Sequence, residues 1–187
     1  MKRLCTSLVL TLCCIAAFAQ QKPTDVDKSP LDVSYLPQNY PILKMNGTAK
    51  ESPVARVIYS RPQKNGRTIF DGIVKYGEIW RLGANEATEI EFFKNAKVAG
   101  KSILKGRYTM YAICQEDKWT VIFNTDNYVW GLAYNQKKDA LRVDIPAQKS
   151  MEDVEALTIY FENNGKPNTG NLNIMWETTK VNIPVSY

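Results

Sequence analysis

The chain contains no histidine, and only four of its 187 residues are cysteine. The absence of histidine excludes Ser-His-Asp and Cys-His catalysis, a histidine general base and a histidine-ligated zinc site. Catalysis, if present, is left to carboxylates, lysine, tyrosine, arginine or an oxygen-ligated metal. We predict that the protein uses neither a metal ion nor an organic cofactor.

Long hydrophobic runs are also absent, and the one apolar run lies at the amino terminus. Lys2 and Arg3 precede this run, and Ala17-Phe18-Ala19 closes it with the small-x-small pattern that signal peptidases cleave. We predict that residues 1–19 are a cleaved secretory signal rather than a lasting membrane anchor. No small residue precedes the cysteines of the run, which disfavours a lipoprotein anchor. The mature chain is then periplasmic or extracellular, with no transmembrane segment.

Three of the cysteines leave with this signal, so that Cys114 remains alone and no internal disulfide forms. An exported domain without disulfides depends on its hydrophobic core for stability. Cys114 lies in an apolar, strand-like run, which predicts a small buried hydrophobe rather than a nucleophile. The formal charge of the whole chain is +5, but basic and acidic residues are interspersed, which argues against nucleic acid as a partner.

Residues 20–50 are polar and interrupted by four prolines. We predict a tether followed by an extended arm over residues 33–43, docked on the domain by aromatic side chains such as Tyr35 and Tyr40. Residues 51–187 then form one domain, a length that suits a single hydrophobic core.

Alternation with a period of two dominates from residue 54 onward. Leu157, Ile159 and Phe161, for example, alternate with Thr158 and Tyr160. One face of such a strand lies on a core and the other faces water. The pattern predicts an all-β fold, an antiparallel β-sandwich or jelly-roll-like domain. The predicted strands cover residues 54–61, 88–93, 98–103 (a hairpin turning at Gly100), 107–114, 118–124, 129–134, 141–145, 157–161, 172–176 and 181–185.

One or two short helices accompany these strands in the prediction. Within residues 66–76, apolar residues at 69, 70, 73 and 74 fit about two helical turns, although Gly72 weakens that pattern. Residues 150–153 resemble a helix start of about one turn.

Residues 59–88 break the alternation and are dense in polar and aromatic side chains. A loop-rich excursion between core strands is a usual place for a site on a β scaffold. The residues that we assign as ligand-binding candidates are Arg61, Arg67, Tyr76, Trp80, Arg81, Asn85 and Glu86.

Three roles are open for the polar side chains of this segment. The arginines suit a bidentate clamp on an anionic group, and Glu86 with Asp71 would supply the carboxylate pair of a glycoside hydrolase. Alternatively, an Arg81–Glu86 pair and Asn85 form a structural network that fixes the loop. The aromatic residues considered for stacking on sugar rings are Tyr76, Trp80, Tyr108, Trp119 and Trp130.

The same segment carries a family resemblance. The string from Trp80 to Thr88 (Trp-Arg-x-Gly-Ala-Asn-Glu-Ala-Thr) resembles the domain of unknown function 2911 family, and the likeness extends over residues 28–187. The resemblance implies an exported bacterial envelope protein and carries no catalytic residues. Asp71-Gly72 departs from the family pattern, so Asp71 is not a family feature. Further matching stretches are residues 59–62, 66–70, 76–77, 105–108, 119–124 and 130–131, with Asp139 and Arg142.

From these observations we favour a non-catalytic periplasmic or envelope module that binds a carbohydrate or a small anionic molecule. One alternative is a carboxylate-dependent hydrolase acting through Glu86 on envelope or dietary glycans. Another is a structural or interaction protein of the cell envelope that pairs through an exposed sheet edge.

Overall fold

The computed structural model describes residues 25–187, so the predicted signal over residues 1–19 and the first residues of the tether lie outside the described part of the chain. The described residues form ten strands, one short helix and one 3-10 turn. The elements are β1 (Leu31–Leu36), α1 (Tyr40–Met45), β2 (Ala55–Ser60), β3 (Ile79–Trp80), β4 (Glu89–Phe92), β5 (Ala96–Val98), β6 (Lys101–Ile103), β7 (Gly106–Cys114), β8 (Lys118–Asn124), the 3-10 turn (Gln136–Lys138), β9 (Asp139–Glu162) and β10 (Thr169–Ser186).

All named strands pair antiparallel, in the order β1-β2-β4-β7-β8-β9-β10-β5-β6, and β3 pairs with β7 outside this path. The long strand β9 belongs to two sheets. Its first part, Asp139 to Pro146, pairs with β8, and its second part, from Ala147 to Glu162, pairs with β10. The predicted all-β antiparallel sandwich is therefore confirmed, and a shared strand connects its two layers.

Alternation along β9 and β10 places one face of each strand in the core. Leu157, Ile159 and Phe161 are fully buried, and the register sets Phe161 opposite Leu172 of β10. Burying a side chain of this size contributes about 1.5–3 kcal/mol. Cys114 is buried in the same core, as predicted, and burial raises the pKa of its thiol far above the usual range, which makes it a poor nucleophile.

The helix predicted over residues 66–76 is wrong. Asp71 adopts a positive φ of 62°, and its N–H donates to the Val74 carbonyl at 2.8 Å, so the chain folds into a compact turn. A Cβ on Gly72 would lie 2.2 Å from the Thr68 carbonyl oxygen, and this tight turn explains why glycine stands there. The apolar spacing arises because Ile69, Phe70 and Val74 enter the core from the turn.

Two further local predictions are wrong. Residues 150–153 belong to β9, where the pairing with β10 shifts near Glu177 instead of forming a helical turn. Residues 129–134 form a loop rather than a strand, because Tyr128 just before them and Gly131 among them have positive φ values.

The described part of the arm is an edge strand followed by a helix. Strand β1 pairs with β2 from Leu31 opposite Ser60 to Leu36 opposite Ala55, and Leu36 is buried. Helix α1 has Pro41 in its first turn, a position that proline favours. Within residues 25–187, none of the helices has the length and hydropathy needed to cross a membrane.

Candidate functional site

The polar segment leaves the end of β2 and returns to the sheet as β4, and side chains pin its last turn to the strands. The Ser60 hydroxyl donates to the Ala84 carbonyl at 2.6 Å and accepts from the Ala84 N–H at 2.7 Å. The Thr88 hydroxyl donates to the Leu82 carbonyl at 2.7 Å. A Cβ on Gly83 would lie 2.6 Å from the Ser60 oxygen, so the turn packs directly on β2.

Arg61 serves the scaffold. Its guanidinium pairs with Asp32 of β1 at 3.2 Å and donates to the Leu157 carbonyl at 3.3 Å and the Thr158 hydroxyl at 3.1 Å. Three partners on two other strands leave this side chain little freedom to clamp a ligand. Arg61 therefore joins β1 and β9 where β2 ends.

Arg67 is exposed but makes only local contacts. Its guanidinium donates to the Lys64 carbonyl at 2.9 Å and to the Gln63 carbonyl at 2.6 Å, which stabilises the turn that follows β2. Two of the three arginines predicted to bind an anion thus bind the protein itself.

Trp80 belongs to an aromatic cluster inside the sandwich. Its ring stacks on Trp176 with centroids 5.9 Å apart and meets Trp119 edge-on at 5.8 Å, and its Nε1–H donates to the Gly83 carbonyl at 3.3 Å. Trp119 and Trp176 are buried, so neither offers a face to a ligand. Tyr108 is buried as well, where its ring packs edge-on against Phe92.

Tyr76 and Asp71 lie together, apart from Glu86. Tyr76 packs against the core, and burial raises the pKa of its hydroxyl, with the carboxylates of Glu116 and Asp71 adding to the shift. The Asp71 carbonyl accepts from Lys75 Nζ at 2.8 Å. Glu86 is exposed and lines a groove to which Asp71 does not contribute, so the two carboxylates do not share a site.

Arg81 is held by packing rather than by charge. Its Nε atom is buried without a hydrogen-bond partner, and its side chain lies against Gly131, where a Cβ would stand 2.9 Å from the Arg81 Cβ. The ion pairs of residues 25–187 do not include Arg81 with Glu86, so the predicted pair is not formed.

The remaining two candidates, Asn85 and Glu86, line a shallow groove of about 290 Å³ together with the amino-terminal arm and a distant loop. Asp27 Oδ1 accepts from the Ser29 N–H at 2.6 Å and from Asn85 Nδ2 at 3.0 Å, which fastens the arm to the polar segment. The six residues of this groove, which we call the Trp130 groove, are Asp27, Ser29, Leu31, Asn85, Glu86 and Trp130.

Trp130 differs from the other tryptophans because 53 % of its surface is exposed. Its loop is nevertheless anchored at the two residues that precede the ring. The Ala87 N–H donates to the Val129 carbonyl at 3.2 Å, and the Tyr128 N–H donates to Glu89 Oε1 at 3.0 Å. The loop therefore presents Trp130 from an anchored backbone.

A polar network closes the base of the same loop. Asp139 accepts from Arg142 Nε at 2.7 Å, from the Tyr134 hydroxyl at 2.6 Å and from Asn124 Nδ2 at 2.7 Å, and Arg142 also donates to the Tyr134 hydroxyl. Burial and the Asp139 carboxylate raise the pKa of Tyr134 to about 12. Asp139 and Arg142 hold the loop that carries Trp130, and this gives them a structural role.

Three larger grooves, two of about 630 Å³ and one of about 360 Å³ beside helix α1, lie elsewhere on the surface and contain none of the predicted site residues. The first ends at Tyr187, whose ring is covered by Lys94 with Nζ 5.6 Å from the centroid. The second, around Gly100 and Pro146, has no aromatic side chain in its lining. The Trp130 groove combines an exposed aromatic ring with predicted polar residues, and we take it as the candidate site.

Sequence reasoning identified Asn85 and Glu86 but assigned neither Trp130 nor the arm residues to the site. Trp130 was one of several aromatic residues considered for stacking, and nothing in its local pattern separates it from the buried ones. Asp27, Ser29 and Leu31 reach the groove only because β1 pairs with β2. Among the described residues, no three carboxylate or cysteine side chains gather in a way that would hold a metal ion.

Comparison with known proteins gives a family and no activity. Residues 43–185 match the sequence model of a family described as protein of unknown function (DUF2911). No curated protein and no solved structure matches the chain significantly.

Proposed function

Because this chain belongs to the DUF2911 family, whose description assigns no activity, we propose its function from the groove: a non-catalytic module that binds a carbohydrate through Trp130. The exposed ring of Trp130 is the observation that carries this proposal. A sugar offers an apolar C–H face that packs on an aromatic ring and hydroxyls that bond to amides and carboxylates.

The groove has the residue types that such a ligand needs. Trp130 and Leu31 are exposed apolar surface, and Asn85, Glu86 and Ser29 bring polar groups beside it. Its volume of about 290 Å³ lies at the lower end of the range for small-molecule sites, which suits a short ligand.

An anionic ligand is less well supported than a carbohydrate. Arg61 and Arg67, two of the residues proposed for an anion clamp, are occupied by Asp32 and by backbone carbonyls. The groove itself is lined by the carboxylates of Asp27 and Glu86, which repel anions.

Calorimetric titration of the protein with a panel of bacterial and plant oligosaccharides tests the proposal. We expect at least one glycan to bind the wild type and Trp130→Ala to bind it at least tenfold more weakly. Leu132→Ala is the matched control, because Leu132 is an exposed apolar residue of the same loop that does not line the groove. Absence of binding across the panel, or equal binding by Trp130→Ala, would contradict the proposal.

One observation favours a second candidate, glycoside hydrolysis through Glu86. Two carboxylates, Asp27 and Glu86, line the same groove, and most glycosidases use such a pair. If this holds, Glu86→Gln abolishes the release of reducing ends from a bound glycan while the glycan still binds. A glycan that binds the wild type and stays intact over long incubation rules against hydrolysis.

We further propose that the protein is exported, on the basis of the amino-terminal pattern that ends at Ala19. Fractionation of cells that express the full chain tests this. We expect a mature protein that begins at Gln20 in the periplasm or medium, and an uncleaved cytoplasmic chain would contradict it.

A further inference from the structure

The lining of the Trp130 groove is negatively charged although the chain as a whole is positive. Asp27 and Glu86 are two of its six residues, and neither lysine nor arginine is among them. The formal charge of the whole chain is +5. The groove is therefore a local exception, and its charge selects among ligands.

Within the described part of the chain, neither carboxylate forms an ion pair. The ion pairs of residues 25–187 include neither Asp27 nor Glu86. The described hydrogen bonds to Asp27 come from neutral donors, the Ser29 N–H and the Asn85 amide. Glu86 is exposed, and its carboxylate is open to a ligand.

Arg81, in the same turn, lies outside the lining of the groove. Its side chain packs against Gly131, the residue after Trp130. Other carboxylates of this face are already paired, since Glu89 and Glu91 contact Arg107 at 3.7 and 3.6 Å. Among residues 25–187, the lining beside Trp130 thus carries two carboxylates and no cationic side chain.

We propose that the groove recognises a glycan that carries a primary ammonium group, such as an oligosaccharide of glucosamine. This inference rests on the proposed carbohydrate binding at Trp130 and adds the charge of the ligand. An ammonium group is attracted both to carboxylates and to the face of an aromatic ring, and tryptophan is the best of the aromatic partners. N-acetylation of such a sugar leaves its pyranose ring in place and removes the positive charge of the amine.

A matched pair of ligands separates carbohydrate binding at Trp130 from recognition of the ammonium group. Titration with a β-1,4-linked glucosamine tetramer and with its fully N-acetylated form, in a mildly acidic buffer that protonates the amines and at low salt, compares the same sugar backbone with and without charge. We expect the amine form to bind about fivefold to tenfold more tightly than the acetylated form, because two partly exposed carboxylates each contribute a few-fold. High salt weakens binding of the amine form only, because salt screens exposed charges.

Two variants locate the charge effect. Glu86→Gln keeps the shape of the side chain, and we expect it to weaken the amine form about threefold to fivefold and to leave the acetylated form unchanged. Glu116→Gln, at an exposed glutamate away from the groove, is the control and should change neither affinity.

The outcomes are distinct. Preference for the amine form that falls in Glu86→Gln supports the inference. Equal affinity for both forms, lost in Trp130→Ala, overturns the ammonium inference and leaves carbohydrate binding in place. A preference for the amine that Glu86→Gln leaves intact also overturns it, because the charge then acts elsewhere. No binding of either form, together with no binding across the glycan panel, overturns the proposed function itself.

Discussion

The four tryptophans divide between two regions that use the same side chain for different purposes. Trp80, Trp119 and Trp176 pack together between the layers of the sandwich. The ring centroid of Trp80 lies 5.8 Å from that of Trp119 and 5.9 Å from that of Trp176. Trp130 stands on an anchored loop with half of its surface exposed. Packing accounts for the first group and leaves Trp130 unexplained.

Exposure, rather than residue type, separates scaffold from site in this protein. Aromatic side chains in the core stabilise the fold by burying apolar area. An exposed aromatic ring contributes little to folding, and Trp130 shares its groove with exposed Leu31, so that the two form an apolar patch of the kind that marks binding sites. The predictions below test this division, beginning with the largest effect.

Removing the central aromatic residue should unfold the domain far more readily than removing the exposed one. We expect Trp119→Ala to lower the free energy of unfolding by about 3–5 kcal/mol, because it leaves a cavity among Phe70 and Trp80. Trp130→Ala should change it by less than about 0.5 kcal/mol. Urea denaturation followed by circular dichroism measures both, and similar losses in the two variants would contradict the division.

The base of the Trp130 loop should be the next most sensitive place. Asp139→Ala removes the acceptor of Arg142, Tyr134 and Asn124, and we expect a loss of about 2 kcal/mol because these donors lose their partner. Asp153→Ala removes an exposed carboxylate that pairs with Lys64, and we expect it to lower the free energy of unfolding by less than about 1 kcal/mol. Equal small losses would show that the network does not hold the loop.

Alkaline pH should weaken the attachment of the arm. Burial raises the pKa of Tyr59 to about 12, and its hydroxyl donates to Asp32 of β1 at 3.2 Å. Tyrosine in the unfolded chain has a pKa of about 10, so the folded state keeps a proton that the unfolded state loses. Stability is full below about pH 10 and falls as the pH rises toward about 12.

The control for this pH effect is a tyrosine at the surface. We expect unfolding free energies measured from pH 9 to 12 to fall less steeply in Tyr59→Phe than in the wild type. Tyr128→Phe, at an exposed position, should follow the wild type. A Tyr59→Phe curve parallel to the wild-type curve would show that Tyr59 does not contribute to the alkaline loss.

The smallest effect concerns the turn that places Asn85 and Glu86. Ser60→Ala removes both hydrogen bonds to Ala84, and we expect a loss of about 1 kcal/mol. Because the turn forms one wall of the groove, the variant should also bind a glycan ligand several-fold more weakly. Unchanged affinity in Ser60→Ala would mean that the Ser60–Ala84 hydrogen bonds are not required to position the turn at the groove.

Alternation made most of the sandwich predictable from sequence. Leu157, Ile159 and Phe161 share a buried side as expected, since a period of two leaves one core face in an antiparallel sheet. The prediction of a helix over residues 66–76 failed because apolar spacing in a tight turn imitates helical spacing. The positive φ of Asp71, which breaks the helix, is not visible in composition.

The site was predictable only in part, because its residues come from three separate stretches of chain. Asn85 and Glu86 stood out as polar residues in a glycine-rich turn. Arg61 stood out equally, yet its partners Leu157 and Thr158 lie across the fold, and no local pattern reveals them. The exposure of Trp130 likewise depends on the network around Asp139, which forms only in the folded chain.

The most direct measurement is a two-dimensional NMR titration that follows the indole N–H signals of the four tryptophans while the glucosamine tetramer is added. We expect the Trp130 indole signal to shift with saturation, while the signals of Trp119 and Trp176 in the core stay in place. A Trp130 signal that does not move at a tetramer concentration at which calorimetry shows binding, or ligand-induced shifts confined to the buried cluster, would contradict the assignment of the site to the exposed loop.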